Sequence, residues 1–137
     1  MLRLTATVWL ALFLALAGCF GLGTHAQASQ PVQYQAIDAV SLVELPPEVQ
    51  QTLRLIQRGE PFLFPNKDGS TFGNFENRLP PQKRGYYREY TGPTPSRHDR
   101  GARRLIAGSG QSGDVARSGE YYYTEDHYGH FRRIVQP

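Results

Sequence analysis

Three short segments of the chain carry residue types that do chemistry in proteins. Glu89 stands within an aromatic run at 86–90, three arginines fall within residues 100–104, and His127 follows a second aromatic run at 121–123. Carboxylates and imidazoles serve in acid/base catalysis, and guanidinium groups bind phosphate through paired hydrogen bonds. Taken singly, each segment is more typical of a surface: a strand glutamate in an ion pair, a solvated arginine run, a structural histidine. In a meander of short strands, however, the three segments can be neighbours.

The charge of the chain is unevenly placed along it. The net formal charge is +3. From Ser29 to Glu76, three Lys and Arg stand against six Asp and Glu, which gives −3; from Asn77 to the end, eleven stand against six, which gives +5. An arginine-dominated basic half suits a phosphate-bearing partner. Charge alone fits a solvated basic surface at least as well, and it leaves open a non-catalytic exported module that binds RNA or other polyanions.

The first 28 residues are typical of a secretory signal. Arg3 supplies a positive start, an apolar run covers about 8–17, and Ala26-Gln27-Ala28 has the A-x-A form of a cleavage site. The apolar run is shorter than the roughly 20 residues that a membrane-spanning helix needs. The pattern predicts a signal peptide, residues 1–28, and a secreted, extracellular protein.

Cys19 offers an alternative for the same segment. Leu16-Ala17-Gly18-Cys19 resembles the lipobox of bacterial lipoproteins, in which the cysteine is lipidated and becomes the mature N-terminus. That processing would give a lipid anchor at the cell envelope through Cys19. Both alternatives export the protein, and since Cys19 is the only cysteine, the fold has no internal disulfide.

The element pattern after the leader predicts an α+β fold. Residues 29–36 are polar and without pattern, which indicates a flexible lead-in to a domain at 37–137. Residues 46–58 are predicted to be helical, because prolines suit the first turn, apolar residues recur with helical period and Gly59 can end the helix. Residues 61–65 are expected to be extended, 66–69 to turn, and the Gly/Ser-rich 108–119 to form a mobile hairpin loop. Strands are predicted at 86–91, 103–107, 121–124 and 131–135.

Several of these segments, in their order along the chain, resemble the small microbial guanyl-preferring ribonucleases, the family that includes barnase. The resemblance spans roughly Ala36 to Val135. It implies the microbial ribonuclease fold, a single N-terminal helix packed on an antiparallel β-sheet. The matching segments are Leu45-Pro46-Pro47-Glu48, the run Asp68-Gly69-Ser70-Thr71-Phe72-Gly73-Asn74-Phe75-Glu76-Asn77-Arg78-Leu79-Pro80, Gly85-Tyr86-Tyr87-Arg88-Glu89-Tyr90, Arg100-Gly101-Ala102-Arg103-Arg104-Leu105-Ile106 and Tyr122-Tyr123-Thr124-Glu125-Asp126-His127-Tyr128.

The resemblance implies a catalytic set. Glu89 falls at the family's general base, His127 at its general acid, and Arg100 and Arg104 at its phosphate-binding arginines. The implied reaction is cleavage of single-stranded RNA 3′ to guanosine. The 2′-OH attacks phosphorus, and water then opens the 2′,3′-cyclic phosphate to a 3′-phosphate end. We also expect Arg104 to be able to pair with Glu89, whereas strand alternation turns Arg88 and the arginine at 103 to the other face.

The resemblance also implies a guanine site. Glu76 matches the family's guanine-reading glutamate, which can accept from N1–H and the 2-amino group, and Gly73 and Asn74 supply backbone contacts. Phe72 and Tyr128 complete the implied substrate-binding set. Phe75 departs from the family, since barnase-like members carry arginine there and fungal relatives a tyrosine that covers the base; a phenylalanine ring can stack on a base in the same way.

The resemblance also implies which cofactors and partners the chain has. No cofactor and no metal ion is expected, and the substrate is RNA. DNA is not expected to be cut, because it lacks the 2′-OH nucleophile. The chain is expected to act as a monomer, and a small acidic inhibitor of the barstar type would complement its arginines. The biological role, nutrient scavenging or attack on neighbouring cells, stays open.

Overall fold

The fold is taken from a computed structural model, in which residues 36–137 are described. The predictions for 1–28, with Cys19, and for the lead-in as far as residue 35 lie outside the described residues. Within 36–137, no helix is long and apolar enough to span a membrane. The elements in chain order are β1 Asp38–Ser41, a 3-10 turn Leu42–Glu44, α1 Pro47–Arg58, β2 Ser70–Thr71, β3 Tyr87–Thr91, β4 Arg104–Gly108, β5 Tyr121–Thr124 and β6 Arg132–Val135.

Helix α1 forms where the local signals predict it. Pro46 is the N-cap, and Pro47 occupies the first helical position, where its missing N–H would have no partner in any case. Gly59 ends the helix in the left-handed region at φ 67°, with its N–H donating to the carbonyl of Ile56. One apolar face of the helix, with Leu53 fully buried at its centre, packs on the sheet.

The sheet has six strands in the order β1-β6-β5-β4-β3-β2. Every neighbouring pair is antiparallel except β1 and β6, which run parallel from the pair Asp38–Arg132. The predicted α+β class, one helix on a largely antiparallel sheet, is confirmed. The central strands lie within one residue of their predicted bounds.

The edges of the sheet differ from the prediction. Strand β1 precedes the helix, where the sequence predicts no strand, and the two-residue β2 directly follows the predicted turn at 66–69. Residues 61–65, predicted to be extended, form no strand. The chain bends there because the backbone N–H groups of Lys67 and Asp68 both donate to the carbonyl of Phe64, at 2.9 and 2.8 Å.

The loop at 109–120 joins β4 to β5, as the hairpin prediction requires. It is anchored from within, since the hydroxyl of Tyr121 donates to the carbonyl of Val115 at 2.7 Å and the Asp114 carboxylate accepts from Ala116 N–H at 2.9 Å. Its mobility stays a prediction.

The two faces of the sheet bury different residues. Alternation along β3 sends Tyr90 to the helix side and Tyr87 to the opposite side. Glu89 shares the parity of Tyr87, so it stands on the face that the helix leaves open. Buried on the helix side are Val40, Leu45, Val49, Leu53, Ile56, Tyr90, Leu105, Ala107, Tyr121, Tyr123 and Ile134. Buried on the open side are Leu79, Tyr87, Ile106, Tyr122 and Phe131, with Phe72 and Tyr128 packed against them.

Candidate active site

Glu89 lies at the middle of β3, where β2 on one side and β4 on the other hold its backbone. Its side chain is only 16% exposed. One carboxylate oxygen, Oε1, accepts from the Ser70 hydroxyl at 3.2 Å and lies 3.4 Å from Arg100 Nη1. The other oxygen, Oε2, accepts a very short hydrogen bond from the Tyr128 hydroxyl. The carboxylate is therefore oriented from three directions.

Arg100 is held from behind by Thr91 and Asp68. Its Nε donates to Thr91 Oγ1 at 2.8 Å, and its Nη2 lies 3.7 Å from Asp68 Oδ1. Asp68, with a side chain only 2% exposed, accepts from both the N–H and the hydroxyl of Thr91 at 2.7 Å. Among the described residues, Arg100 Nη2 has no hydrogen-bond partner although it is buried. An unpaired buried N–H of this kind is a donor that a bound anion could satisfy.

Arg104 opens strand β4 and is almost fully buried. Its Nη1 donates to three carbonyls of the preceding loop, those of Arg100, Gly101 and Arg103, at 2.7–3.2 Å. The predicted pairing of Arg104 with Glu89 is therefore wrong, because these carbonyls hold its guanidinium and Arg100 takes the place beside the carboxylate. The guanidinium carbon still lies 6.0 Å from the centre of the Tyr128 ring.

His127 lies in the loop between β5 and β6, residues 125–131, which we call the catalytic loop. Its backbone is in the left-handed region at φ 56°, and its N–H donates to the carbonyl of Ala102 at 3.1 Å. The imidazole is exposed, and its ring centre lies 4.7 Å from that of Tyr128. Tyr128 thus contacts both the Glu89 carboxylate and the His127 ring.

Asp126 fixes the shape of the catalytic loop. Its carboxylate accepts from the Thr124 hydroxyl at 2.9 Å, from the backbone N–H of His130 at 2.9 Å and from the imidazole of His130 at 2.5 Å. The hydrogen bonds from His130 hold the pKa of Asp126 well below its usual range. Thr124 Oγ1 in turn accepts the N–H of Tyr128 at 3.1 Å.

A cavity of about 330 Å³ opens beside Glu89. One wall is the segment 72–79, which we call the recognition loop. The Phe72 ring stacks on that of Tyr128, with ring centres 5.2 Å apart and planes 29° apart. The cavity is lined by Thr71, Phe72, Gly73, Asn74, Phe75, Glu76, Arg78, Glu89, Tyr128 and Phe131.

The recognition loop is anchored by its one buried polar side chain. The Asn74 amide donates to the carbonyl of Leu79 at 2.8 Å and accepts its N–H at 3.0 Å, while the Asn74 backbone is left-handed at φ 48°. With Asn74 held by these two hydrogen bonds, the next two residues face the solvent: Phe75 is 94% exposed, and the Glu76 side chain is 72% exposed. Glu76 Oε2 accepts from Arg78 Nε at 2.7 Å.

A second cavity, of about 440 Å³, lies at His127. Arg97 and Asp99 form one wall, joined by two hydrogen bonds at 2.7 and 2.6 Å. The Arg97 guanidinium lowers the pKa of Asp99 to about 2. Arg100, Gly101, Ala102 and His127 complete the lining.

The structure brings together every residue predicted for the site. Glu89 and Tyr128 line the first cavity, and Arg100 and His127 line the second. Arg104 lines neither cavity, but its guanidinium lies over the Tyr128 ring. The exclusion of Arg103 also holds, since its Nη1 lies 3.9 Å from Glu48 of the helix on the other face. Four further residues of the site, Ser70, Thr91, Asp68 and Arg78, carry no functional signal in the sequence. The first three are ordinary polar residues, and they support Glu89 and Arg100 only through contacts that the fold creates.

The two cavities and the residues beside them present an oriented carboxylate, an exposed imidazole and two arginines with buried nitrogens that have no hydrogen-bond partner within residues 36–137. These are the groups that acid/base cleavage of a phosphodiester requires, because negative charge develops on a five-coordinate phosphorus. Within residues 36–137, no group of three or more His, Cys, Asp or Glu side chains is arranged to hold a metal ion. The fold and the site together define an acid/base phosphodiesterase built on a small α+β domain.

The chain belongs to the ribonuclease family, whose family model, described as ribonuclease, matches residues 27–135. It is 50% identical over 98 residues to guanyl-specific ribonuclease St of Saccharopolyspora erythraea, covering 72% of this chain and 88% of that protein. It is 45% identical over 97 residues to guanyl-specific ribonuclease Sa of Kitasatospora aureofaciens, covering 71% and 93%.

Solved structures of a further relative share the fold. Ribonuclease Sa2 in complexes with mononucleotides matches with a TM-score of 0.65 at 40% identity, covering 74% of this chain and 96% of that one. Ribonuclease Sa2 with guanosine-2′-cyclophosphate matches with a TM-score of 0.63, again at 40% identity, covering 74% and 98%. The expected membership in the microbial guanyl-specific ribonucleases is thus confirmed.

Proposed function

We propose that the protein is a guanine-specific endoribonuclease that cleaves single-stranded RNA on the 3′ side of guanosine. The observation that carries the proposal is the link from Glu89 through Tyr128 to His127, set between two cavities. One cavity contains the acidic Glu76, and the other opens beside the histidine. An RNA chain crossing from the first cavity to the second would place a phosphodiester between the base and the acid.

Glu89 and His127 act in sequence on that phosphodiester. Glu89 takes the proton of the 2′-OH as this oxygen bonds to phosphorus, and His127 gives a proton to the departing 5′-oxygen. The products are a 2′,3′-cyclic phosphate and a free 5′-hydroxyl. In the second step water attacks the cyclic phosphate with the two roles exchanged, and the ring opens to a 3′-phosphate. The first step is a lyase-type transfer and the second a hydrolysis.

Arg100 and Arg104 stabilise the charge on the phosphorane. Among residues 36–137, Arg100 Nη2 and Arg104 Nε are both buried and have no hydrogen-bond partner, so each can donate to a bound phosphate. Donors that are already fixed in place stabilise the transition state without reorganising during the reaction. The Thr91 hydroxyl holds Arg100, and backbone carbonyls hold Arg104.

The first cavity suits guanine. Its Watson–Crick edge presents two donors, N1–H and the 2-amino group, and the Glu76 carboxylate can accept both. Backbone groups of Gly73 and Asn74 provide further contacts, and the Phe72–Tyr128 stack forms an apolar wall. Phe75, which is exposed at the rim, can close over the bound base by stacking, as aromatic residues do on unpaired bases.

Cleavage of defined dinucleotides tests the reaction and its specificity together. GpU should be cut much faster than ApU, with guanosine 2′,3′-cyclic phosphate as the intermediate, and a DNA oligonucleotide should remain intact. Glu89→Ala and His127→Ala should each lower kcat by about 10²- to 10⁴-fold, the usual contribution of a general base or acid. Equal rates for GpU and ApU would refute guanine specificity. Binding of RNA without turnover would favour the non-catalytic module instead.

We also propose that the enzyme is exported and acts as a monomer. Support comes from the leader pattern at 1–28, with lipidation at Cys19 as the alternative processing. The mass and N-terminal sequence of protein recovered from the culture medium and from membranes distinguish cleavage after residue 28 from lipidation at Cys19.

An acidic inhibitor of the barstar type would cover Arg100 and the catalytic loop, so its binding should weaken steeply with salt. Light scattering of the purified chain tests the monomer.

A further inference from the structure

Arg78 joins the recognition loop to the catalytic loop. Its Nε donates to Glu76 Oε2 at 2.7 Å, and its Nη1 donates to the backbone carbonyl of Gly129 at 2.8 Å. Gly129 directly follows Tyr128, whose hydroxyl bonds to Glu89. One planar guanidinium therefore contacts both the carboxylate at the guanine site and the loop that carries His127.

Glu76 needs such a support. Its side chain is 72% exposed, and among residues 36–137 its single ion-pair partner is Arg78. An exposed glutamate samples many rotamers, and fixing them on binding opposes association. A carboxylate already held in one orientation loses less freedom when the base arrives.

The pairing with Arg78 does not occupy the acceptors that guanine needs. A carboxylate has about four lone-pair positions on its two oxygens. Arg78 uses one of these positions, on Oε2, whereas the guanine edge brings two donors. Arg78 is therefore a support for the carboxylate and leaves room for the base.

We propose that Arg78 is a specificity-determining positioning residue, which holds the Glu76 carboxylate for guanine and fixes its orientation relative to the catalytic loop. The inference rests on the proposed function of the first cavity. Both bonds depend on the fork of the guanidinium, because two N–H groups in one plane reach two acceptors at once. Loss of Arg78 reduces the preference for guanine and leaves the chemistry at phosphorus in place.

The test compares kcat and KM for GpU and ApU in the parent and in Arg78→Ala. We expect kcat/KM for GpU to fall by about tenfold or more, as for the loss of a hydrogen bond to a charged group, and that for ApU to change by less than about twofold. The larger part of the loss should appear in KM for GpU. The ratio of the two substrates is independent of the folded fraction, so partial unfolding cannot imitate this result. An equal loss on both substrates overturns the proposal.

Two further variants test whether Arg78 acts through its planar guanidinium or only through its positive charge, and whether its effect depends on the Glu76 carboxylate. Arg78→Lys keeps the charge but cannot bond both acceptors from one plane, so its GpU/ApU ratio should stay near that of Arg78→Ala. In a Glu76→Gln background, Arg78→Ala should change GpU cleavage little further. Full restoration by lysine, or an undiminished effect without the Glu76 carboxylate, overturns the proposal.

Arg117→Ala is the matched control. Arg117 also donates from Nε to a nearby carboxylate, Asp114 Oδ2 at 3.0 Å, in the distant loop between β4 and β5. This variant should retain the parental ratio. If the parent itself shows no preference for GpU, the proposed function fails; if the parent prefers GpU and Arg78→Ala keeps that preference, only the present inference fails.

Discussion

At the scale of single residues, Tyr128 connects the parts of the site. Its hydroxyl donates to Glu89, and its ring stacks on Phe72 and contacts the His127 ring. The hydroxyl and the ring thus serve different parts of the site, and a substitution that removes only the hydroxyl can separate them.

Tyr128→Phe should lower kcat by about tenfold, because it removes one hydrogen bond to a charged group in the site. KM for GpU should change little, since the stack on Phe72 is kept. Steady-state kinetics on GpU measure both quantities. A parental kcat would show that the hydroxyl is not needed, and a large rise in KM would show that the ring has moved.

The pH dependence of this variant follows from the state of the hydroxyl. Burial, followed by the hydrogen bond to Glu89, raises the pKa of Tyr128 above its ordinary value. A raised tyrosine pKa keeps the hydroxyl protonated, and therefore a donor, to higher pH. The ratio of parental to variant kcat should consequently be constant from about pH 5 to about pH 9, below the ordinary tyrosine pKa near 10. A ratio that falls within this range would contradict the prediction.

At the scale of elements, the turn before β2 supports the start of the arginine segment. Asp68 lies in this turn, its carboxylate nearly inaccessible, and it bonds to Thr91 at the end of β3 and faces Arg100. It also accepts the N–H of Phe64 at 3.3 Å, which holds the turn closed. One buried carboxylate therefore connects three segments.

Asp68→Ala should destabilise the fold by about 3 kcal/mol, the usual effect of breaking a buried charge pair from one side. It should also reduce kcat, because Arg100 then loses the neighbour that positions it. Urea denaturation gives the free energy of unfolding, and Glu60→Ala is the control, because the Glu60 side chain is exposed and makes only a 3.9 Å ion pair with Arg58. A loss no larger than that of the control would mean that Asp68 does not support the site.

The catalytic loop is a second element with its own support, the Asp126 carboxylate. The hydrogen bonds from His130 lower the pKa of Asp126 in the folded protein. The ionised Asp126 carboxylate therefore stabilises the fold above the pKa that it has in the unfolded chain, and this stabilisation disappears as the pH falls through the folded-state pKa. Asp126→Ala should therefore be less stable than the parent at neutral pH. The difference in stability between the parent and the variant should decrease below about pH 4, where an ordinary aspartate becomes protonated. Thermal unfolding midpoints of both proteins from neutral to acidic pH measure this difference, and a difference that grows at low pH would contradict the prediction.

The elements also show what the sequence can predict. Helix α1 carries its own signals, prolines at the start and Gly59 at the end, so its bounds follow from local chemistry. Strand β1 is short, and it is defined by pairing with β6 at the other end of the chain, which no local pattern reveals. Glu89 and His127 can be predicted from the sequence, because they lie in motifs whose order matches a known family. The roles of Asp68 and Arg78 cannot, because they depend on contacts that only the fold creates.

At the scale of the whole molecule, the acidic and basic halves of the sequence have separate places. The helix belongs to the acidic half, whereas β3 to β6 and both arginines of the site belong to the basic half. The helix packs on one face of the sheet, and the site occupies the other. An RNA chain should therefore approach the open face, and its binding should depend on salt.

This dependence can be assigned to one arginine. For single strands, the slope of log binding constant against log salt is about −0.7 for each phosphate that the protein neutralises. In the inactive His127→Ala background, Arg100→Gln should make the slope for a guanosine-containing oligonucleotide shallower by about 0.7, because one phosphate contact is lost. Arg54→Gln is the control, since Arg54 lies on the helix and bonds to Gln51 at 2.9 Å. Equal slopes for the two variants would place the phosphate elsewhere, whereas a change confined to Arg100 would place it between the two cavities.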